Sequence, residues 1–179
     1  TLNLEAAALE GVVDGDDVLL VTAEAVGAFA DADAGEDKPV TVTGLSLSGD
    51  ESANYTLAEL VLAADITAKT LSVTGITAEN KVYDGTTDAT LNLEAAALDG
   101  VVDGDDVVLV TAEAVGAFAD ADVGEDKPVT VTGLSLSGAQ SANYTLAELV
   151  LAADITVKTL SVTGITAENK VYDGTTDAT

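Results

Sequence analysis

The residues able to do chemistry are few in kind: 32 Asp and Glu and six Lys in 179 residues, with no Arg, His, Cys, Met or Trp. Without imidazole, thiol or guanidinium there is no Ser–His or Cys–His nucleophile and no thiolate metal site, and what remains is oxygen chemistry. Carboxylates are densest in DADAGED and DADVGED. The first places Asp31, Asp33, Glu36 and Asp37 around Gly35, and the second places Asp120, Asp122, Glu125 and Asp126 around Gly124. Calcium takes roughly six to eight oxygens at about 2.3–2.6 Å from a loop that can curl, and alternating Asp with a Gly supplies part of that set. The EF-hand pattern is incomplete, because no third Asp precedes the Gly and no Glu closes the loop at its far end. These eight carboxylates are therefore candidate calcium ligands, with solvated turns as the other reading. DGDD at 103–106 carries the same pair of readings, and its turn character already accounts for it.

Two further groups bear on chemistry. In YDGTT, residues 83–87, Tyr83 and Asp84 could form an acid/base pair, yet nothing beside them supplies a nucleophile or an oxyanion donor. The plainer reading is a tight hairpin in which Asp84 and Gly85 form a two-residue turn. Lysines at 69, 81, 127, 158 and 170, with Asn and Asp across the strands, raise an intramolecular Lys–Asn bond; it needs a buried lysine, which is uncommon. Carboxylate-only catalysis such as glycoside hydrolysis lacks the aromatic platform sugars favour. The expectation is that the chain is not an enzyme.

The elements that must position these residues are strands. KTLSVTG alternates Leu71 and Val73 with Thr70, Ser72 and Thr74, the period of a half-buried strand. PVTVTGLSLSG does so twice, placing Val129, Val131, Leu134 and Leu136 at alternate positions around Gly133. VVLVTAEAVGAF predicts one longer strand ending near Phe118, and LVLAADITV another ending near Val157. LEAAAL, 93–98, is either one helical turn or a strand edge. Short strands punctuated by Gly and Asp turns predict an all-β fold of small β-sandwich domains with a thin core.

Sliding the sequence against itself shows a period of 89: residues 1–89 match 90–178 with six differences, at 10/99, 19/108, 34/123, 50/139, 51/140 and 68/157. That period exceeds solenoid repeats and falls in the range of small independent domains. Near-identical arrays supply length or multivalency more than a unique active site. The net charge of −26 rules against nucleic acid, whose binding relies on cations that displace phosphate counterions, and against an anionic membrane surface. No apolar run reaches the ~18 residues of a membrane span, so direct insertion is not expected. The chain has no initiator Met and reads as a piece of something longer.

KTLSVTGITAENKVYDGTTDATL, followed by GVVDGDDVVLV, the AFADADVGEDKPVTVTGLSLSG block, SANYTL and ADITVK, resembles the YDG-type repeat domain of large bacterial surface proteins, including filamentous haemagglutinin-like adhesins. The resemblance runs over a whole unit and therefore over the chain. It implies an extracellular, cell-surface stalk or fibre module, Ig-like or β-grasp-like, set end to end and without a catalytic role; the acidity of Asp122, Glu125 and Asp126 departs from it. A calcium-dependent binding module is the alternative. The resemblance also sets the phase of the repeat near Lys69. Residues 68–157 are then one complete domain, 1–67 a domain lacking its first strands, and 158–179 the first strands of the next. The expected partners are neighbouring copies of the same repeat, head to tail, with any distal ligand unidentified.

Overall fold

Valine and threonine alternate along KPVTVT, and a nine-residue strand forms there in each repeat, Gly35–Thr43 and Gly124–Thr132, the second with Val129 and Val131 buried and Thr130 and Thr132 outward. In the computed structural model, which describes residues 1–177, the chain is all-β. Among the described residues the helical ones are two short 3-10 turns at Ser52–Asn54 and Ser141–Asn143. The strands gather into two compact units. One comprises Thr1–Thr74, Ala96–Ala112 and Leu134–Ala147, and the other Gly75–Ala95, Glu113–Gly133 and Glu148–Thr179; residues 178 and 179 of the expected last segment lie outside the described residues.

The second unit is built on a five-stranded sheet. Gly124–Thr132 lies antiparallel between Val115–Phe118 and Leu149–Thr156; Asp88–Ala89 adds to the free side of Val115–Phe118, and Lys81–Val82 runs parallel beside Ile155 and Thr156. Its core is Phe118, Val129, Ala153 and Ile155, with Ala78, Ala89, Leu91 and Leu151 packed against it. These are alternate positions of neighbouring strands, so one face of the sheet is apolar. Pro128, which has no N–H to give a ladder, sits beside the bulge of its strand, next to where Val115–Phe118 has ended.

The first unit contains the sheet in which Lys69–Thr74 lies between two partners, antiparallel to Ala97–Asp99 and parallel to Tyr144–Leu146. Leu71, at its centre, is fully buried. LEAAAL thus resolves as a turn leading into a strand edge. The same unit holds the sheet of Val26–Phe29, Gly35–Thr43 and Leu60–Ile66 and the pair Leu19–Val21 with Ser46–Ser48.

Two expectations need correction. VVLVTAEAVGAF is two strands, Val108–Val110 and Val115–Phe118, which join different sheets. A turn at Ala112–Glu113 separates them, and it is matched by Gly133, just past the end of the neighbouring strand, where a Cβ would lie 1.9 Å from the Glu113 carbonyl oxygen. YDGTT is not a tight hairpin. Gly85 takes the expected positive φ of 82°, but the arms, Lys81–Val82 and Asp88–Ala89, pair with opposite edges of the five-stranded sheet.

Candidate functional site

The acidic loops are bulges. In the second repeat Gly124 faces Ile155 while Lys127 faces Ala153, so one strand carries an extra residue. Asp126 absorbs it with a φ of 49°, and its N–H donates to the Asp154 carboxylate at 2.9 Å. The first repeat does the same at Asp37, with a φ of 51° and Asp65 as acceptor at 2.8 Å. Asn and Asp tolerate this left-handed region better than most residues, so these acids are chosen by the backbone.

Asp120 and Asp31 shape the turn before each bulge. Asp120 accepts the Asp122 N–H at 2.8 Å and the ammonium of Lys127; Asp31 accepts the Asp33 N–H at 2.9 Å and the ammonium of Lys38. The lysine hydrogen bond first, and the backbone N–H second, hold both carboxyls below their ordinary range. Each therefore already has a cation. Glu36, Glu125 and Asp122 are exposed, and among the described residues no three carboxylates are gathered as a metal ion would require. The structure puts the eight acids in two matching loops without converging their oxygens.

Asp33 has a different partner. Asn143, in the 3-10 turn of the second repeat, donates to the Asp33 carboxylate at 3.0 Å and accepts the Ala34 N–H at 2.7 Å. One amide thus holds both a side chain and the backbone of the preceding repeat's acidic loop. Sequence reasoning missed Asn143, because SAN between strands carries no signal beyond that of a turn.

DGDD is likewise structural. The Tyr144 hydroxyl donates to Asp105 at 2.5 Å and accepts the Val102 N–H at 3.1 Å, and the hydrogen bond to the carboxylate pushes the phenol up. Asp106 accepts from the Ala139 N–H, while its own N–H donates to Gln140. The first repeat reproduces this with Tyr55 on Asp16 and Glu51 in place of Gln140.

Lysine 81 organises YDGTT. Its ammonium donates to Asp84 (2.9 Å), to the carbonyl and hydroxyl oxygens of Thr86 (2.8 and 2.9 Å) and to the carbonyl of Asp88 (3.0 Å), and it lies 5.6 Å from the centre of the Phe118 ring. This one side chain spans the two edges of the sheet that the loop connects. Asp84 accepts the Thr86 N–H at 2.8 Å, and that bond, followed by those from Lys81 and the Thr86 hydroxyl, lowers its pKa to about 2. A carboxyl held so low is ionised and unsuited to acid/base work near neutrality. The lysines do not meet Asn side chains: among the described residues their ammonium bonds go to Asp and Thr, while Asn80 pairs with Asp154 at 3.0 Å.

No curated protein and no solved structure matches the chain. The YDG domain family does, twice, over residues 1–61 and 67–150. Most of the chain, including both acidic bulges and the loop that Lys81 organises, lies within those matches, and the chain belongs to the YDG domain family.

Proposed function

We propose that the chain is a structural repeat module of an extracellular bacterial stalk or fibre, in which β-sandwich domains follow one another end to end and repeat number sets reach. The observation that carries this reading is the clasp of Asn143 on Asp33 and Ala34, which ties one repeat to the next beside a very short link. Two residues separate Leu60–Ile66 from Lys69–Thr74, too few for a flexible hinge. The domain in this reading is 68–157. Every strand from Lys69 to Ala89 pairs with a strand between Leu91 and Thr156, and the second family match begins at 67. The module acts mechanically, through strand ladders and a stiff junction, and the acidic surface keeps it solvated.

The test is small-angle scattering on chains of two, four and six repeats. The maximum dimension is expected to grow in proportion to repeat number, and Asn143→Ala, with its counterparts in the longer chains, is expected to broaden the distance distribution by loosening the junctions. Collapse of the longer chains into globules would overturn the reading.

A further inference from the structure

The repeat at 68–157 opens and closes on strands that run side by side in the same direction. Lys69–Thr74 is parallel to Tyr144–Leu146, with Lys69 beside Tyr144 and Leu71 beside Leu146. Farther along, Lys81–Val82 is parallel to Leu149–Thr156, with Lys81 beside Ile155 and Val82 beside Thr156. The residues that open the repeat are thus paired, in the same order and direction, with those that close it.

Further bonds extend both pairings. The Ala147 N–H donates to the Leu71 carbonyl at 2.9 Å, and the Tyr83 N–H donates to the Thr156 carbonyl at 2.8 Å. The Thr156 hydroxyl donates to the Lys81 carbonyl at 3.2 Å. Asn80 holds Asp154 twice, its amide donating to the carboxylate at 3.0 Å and its carbonyl oxygen accepting the Asp154 N–H at 2.8 Å. Neither end strand is an edge of its sheet. Lys69–Thr74 has Ala97–Asp99 on its other side, and Leu149–Thr156 has Gly124–Thr132. Leu71 and Ile155, one on each end strand, are fully buried.

We infer that these parallel pairings form a shear clamp that bears tension passing through the repeat. Tension along the chain draws Lys69 toward the residues before it and Thr156 toward those after it. On parallel neighbours these pulls oppose each other along the strands. Lys69–Thr74 is drawn back against Tyr144–Leu146, which the two-residue link Ala147–Glu148 ties to the closing strand. Leu149–Thr156 is drawn forward against Lys81–Val82, which residues 75–80 tie to the opening strand. The evenly spaced bonds of a parallel ladder are then loaded together, whereas a hairpin pulled by its two ends yields one bond at a time. Rupture also has to draw Leu71 and Ile155 out of apolar surroundings into water. Forced unfolding is governed by the barrier rather than by equilibrium stability, so a thin core is compatible with high resistance along this one axis.

The inference rests on the stalk reading, which is what puts the chain under tension, but its readout is force rather than length. Repeats that extend end to end and yet part at low force would overturn the clamp and leave the stalk intact. In the experiment the full chain is pulled by handles at its two ends in an optical trap. Residues 68–157 are expected to rupture in one step that releases roughly 250–300 Å of chain. Because the chain has no cysteine, Tyr83→Cys with Val157→Cys places handles at the matching ends of the second parallel pair, so that the same strands are peeled apart. Both cysteines replace exposed side chains, and the rupture force is expected to fall severalfold in this direction. Asn80→Ala removes both side-chain bonds to Asp154 and is expected to lower the end-to-end force. Gln140→Ala removes the bond from the Asp106 N–H, which lies outside both pairings, and is expected to leave that force unchanged. Equal forces in the two directions, or an effect of Asn80→Ala no greater than that of Gln140→Ala, would each overturn the inference.

Discussion

Phe29 and Phe118 occupy the same place in the same local sequence, yet Phe118 is 3% exposed and Phe29 38%. What differs is the cover: Ala78 and Ala89 pack against the cluster that holds Phe118. Phe118→Ala is therefore expected to destabilise by about 3–5 kcal/mol, and Phe29→Ala by about two thirds as much, in proportion to the area each buries. Chemical unfolding of the chain measures both, and equal losses would contradict the difference in burial. At Asp84 the controlled quantity is charge. Its pKa falls from 3.8 to about 2 because Thr86 and Lys81 bind the ionised form. A folded-state pKa below the unfolded one means that the stabilisation is present above the unfolded value and is lost as pH falls through about 2. An NMR pH titration should show the Asp84 carboxyl and the Thr86 amide moving together near that value, while an ordinary titration near 4 would count against the loop geometry.

At the scale of elements, the decisive features are a turn and a bulge. Gly133 has a φ of 77°, and a Cβ there would meet the Glu113 carbonyl. Gly133→Ala is thus expected to destabilise by more than about 1 kcal/mol, with hydrogen exchange rising first in Val115–Phe118. A similar change at Gly85, where nothing lies near the would-be Cβ, carries only the backbone strain. The alternation of Val129 and Val131 was legible in the sequence because a half-buried strand imposes its period of two. The split of VVLVTAEAVGAF was not, because Thr111 to Ala114 contains no Gly or Pro and the turn is accommodated by a glycine just past the end of another strand. The acidic bulges illustrate the same limit: carboxylate spacing suggested a ligand set, but Asp37 and Asp126 are spent on backbone conformation and Asp31 and Asp120 on lysines. Calcium is accordingly expected to shift the melting temperature no more than sodium at matched ionic strength. A calcium-specific rise, as for a ligand bound only by the folded chain, would support the calcium reading.

Across the whole molecule, charge sets the conditions under which the fold and its contacts operate. With 32 acids against six lysines, self-repulsion is relieved by screening. The melting temperature of the dilute chain is expected to rise with sodium chloride and to level off once the screening length falls below the spacing of surface charges. A flat response would show that the acids are already neutralised locally, as Asp31 and Asp120 are by their lysines.

Some of this protein was determined by its sequence alone. The period of 89, the all-β class, the family and the exclusion of thiol and imidazole chemistry depend on residue identity and spacing, and each is carried by local order along the chain. The tertiary structure decided what happens to identical segments. Residues 69–88 and 158–177 share every letter, yet one holds a buried strand and the other is exposed, since a strand exists only where a partner satisfies its backbone groups and covers its apolar side. The Asn143 clasp and the lysine that spans two sheet edges also depend on residues far apart in the chain. Long-range pairing is not encoded in the period of any one segment, and it separates two copies that the sequence makes nearly the same.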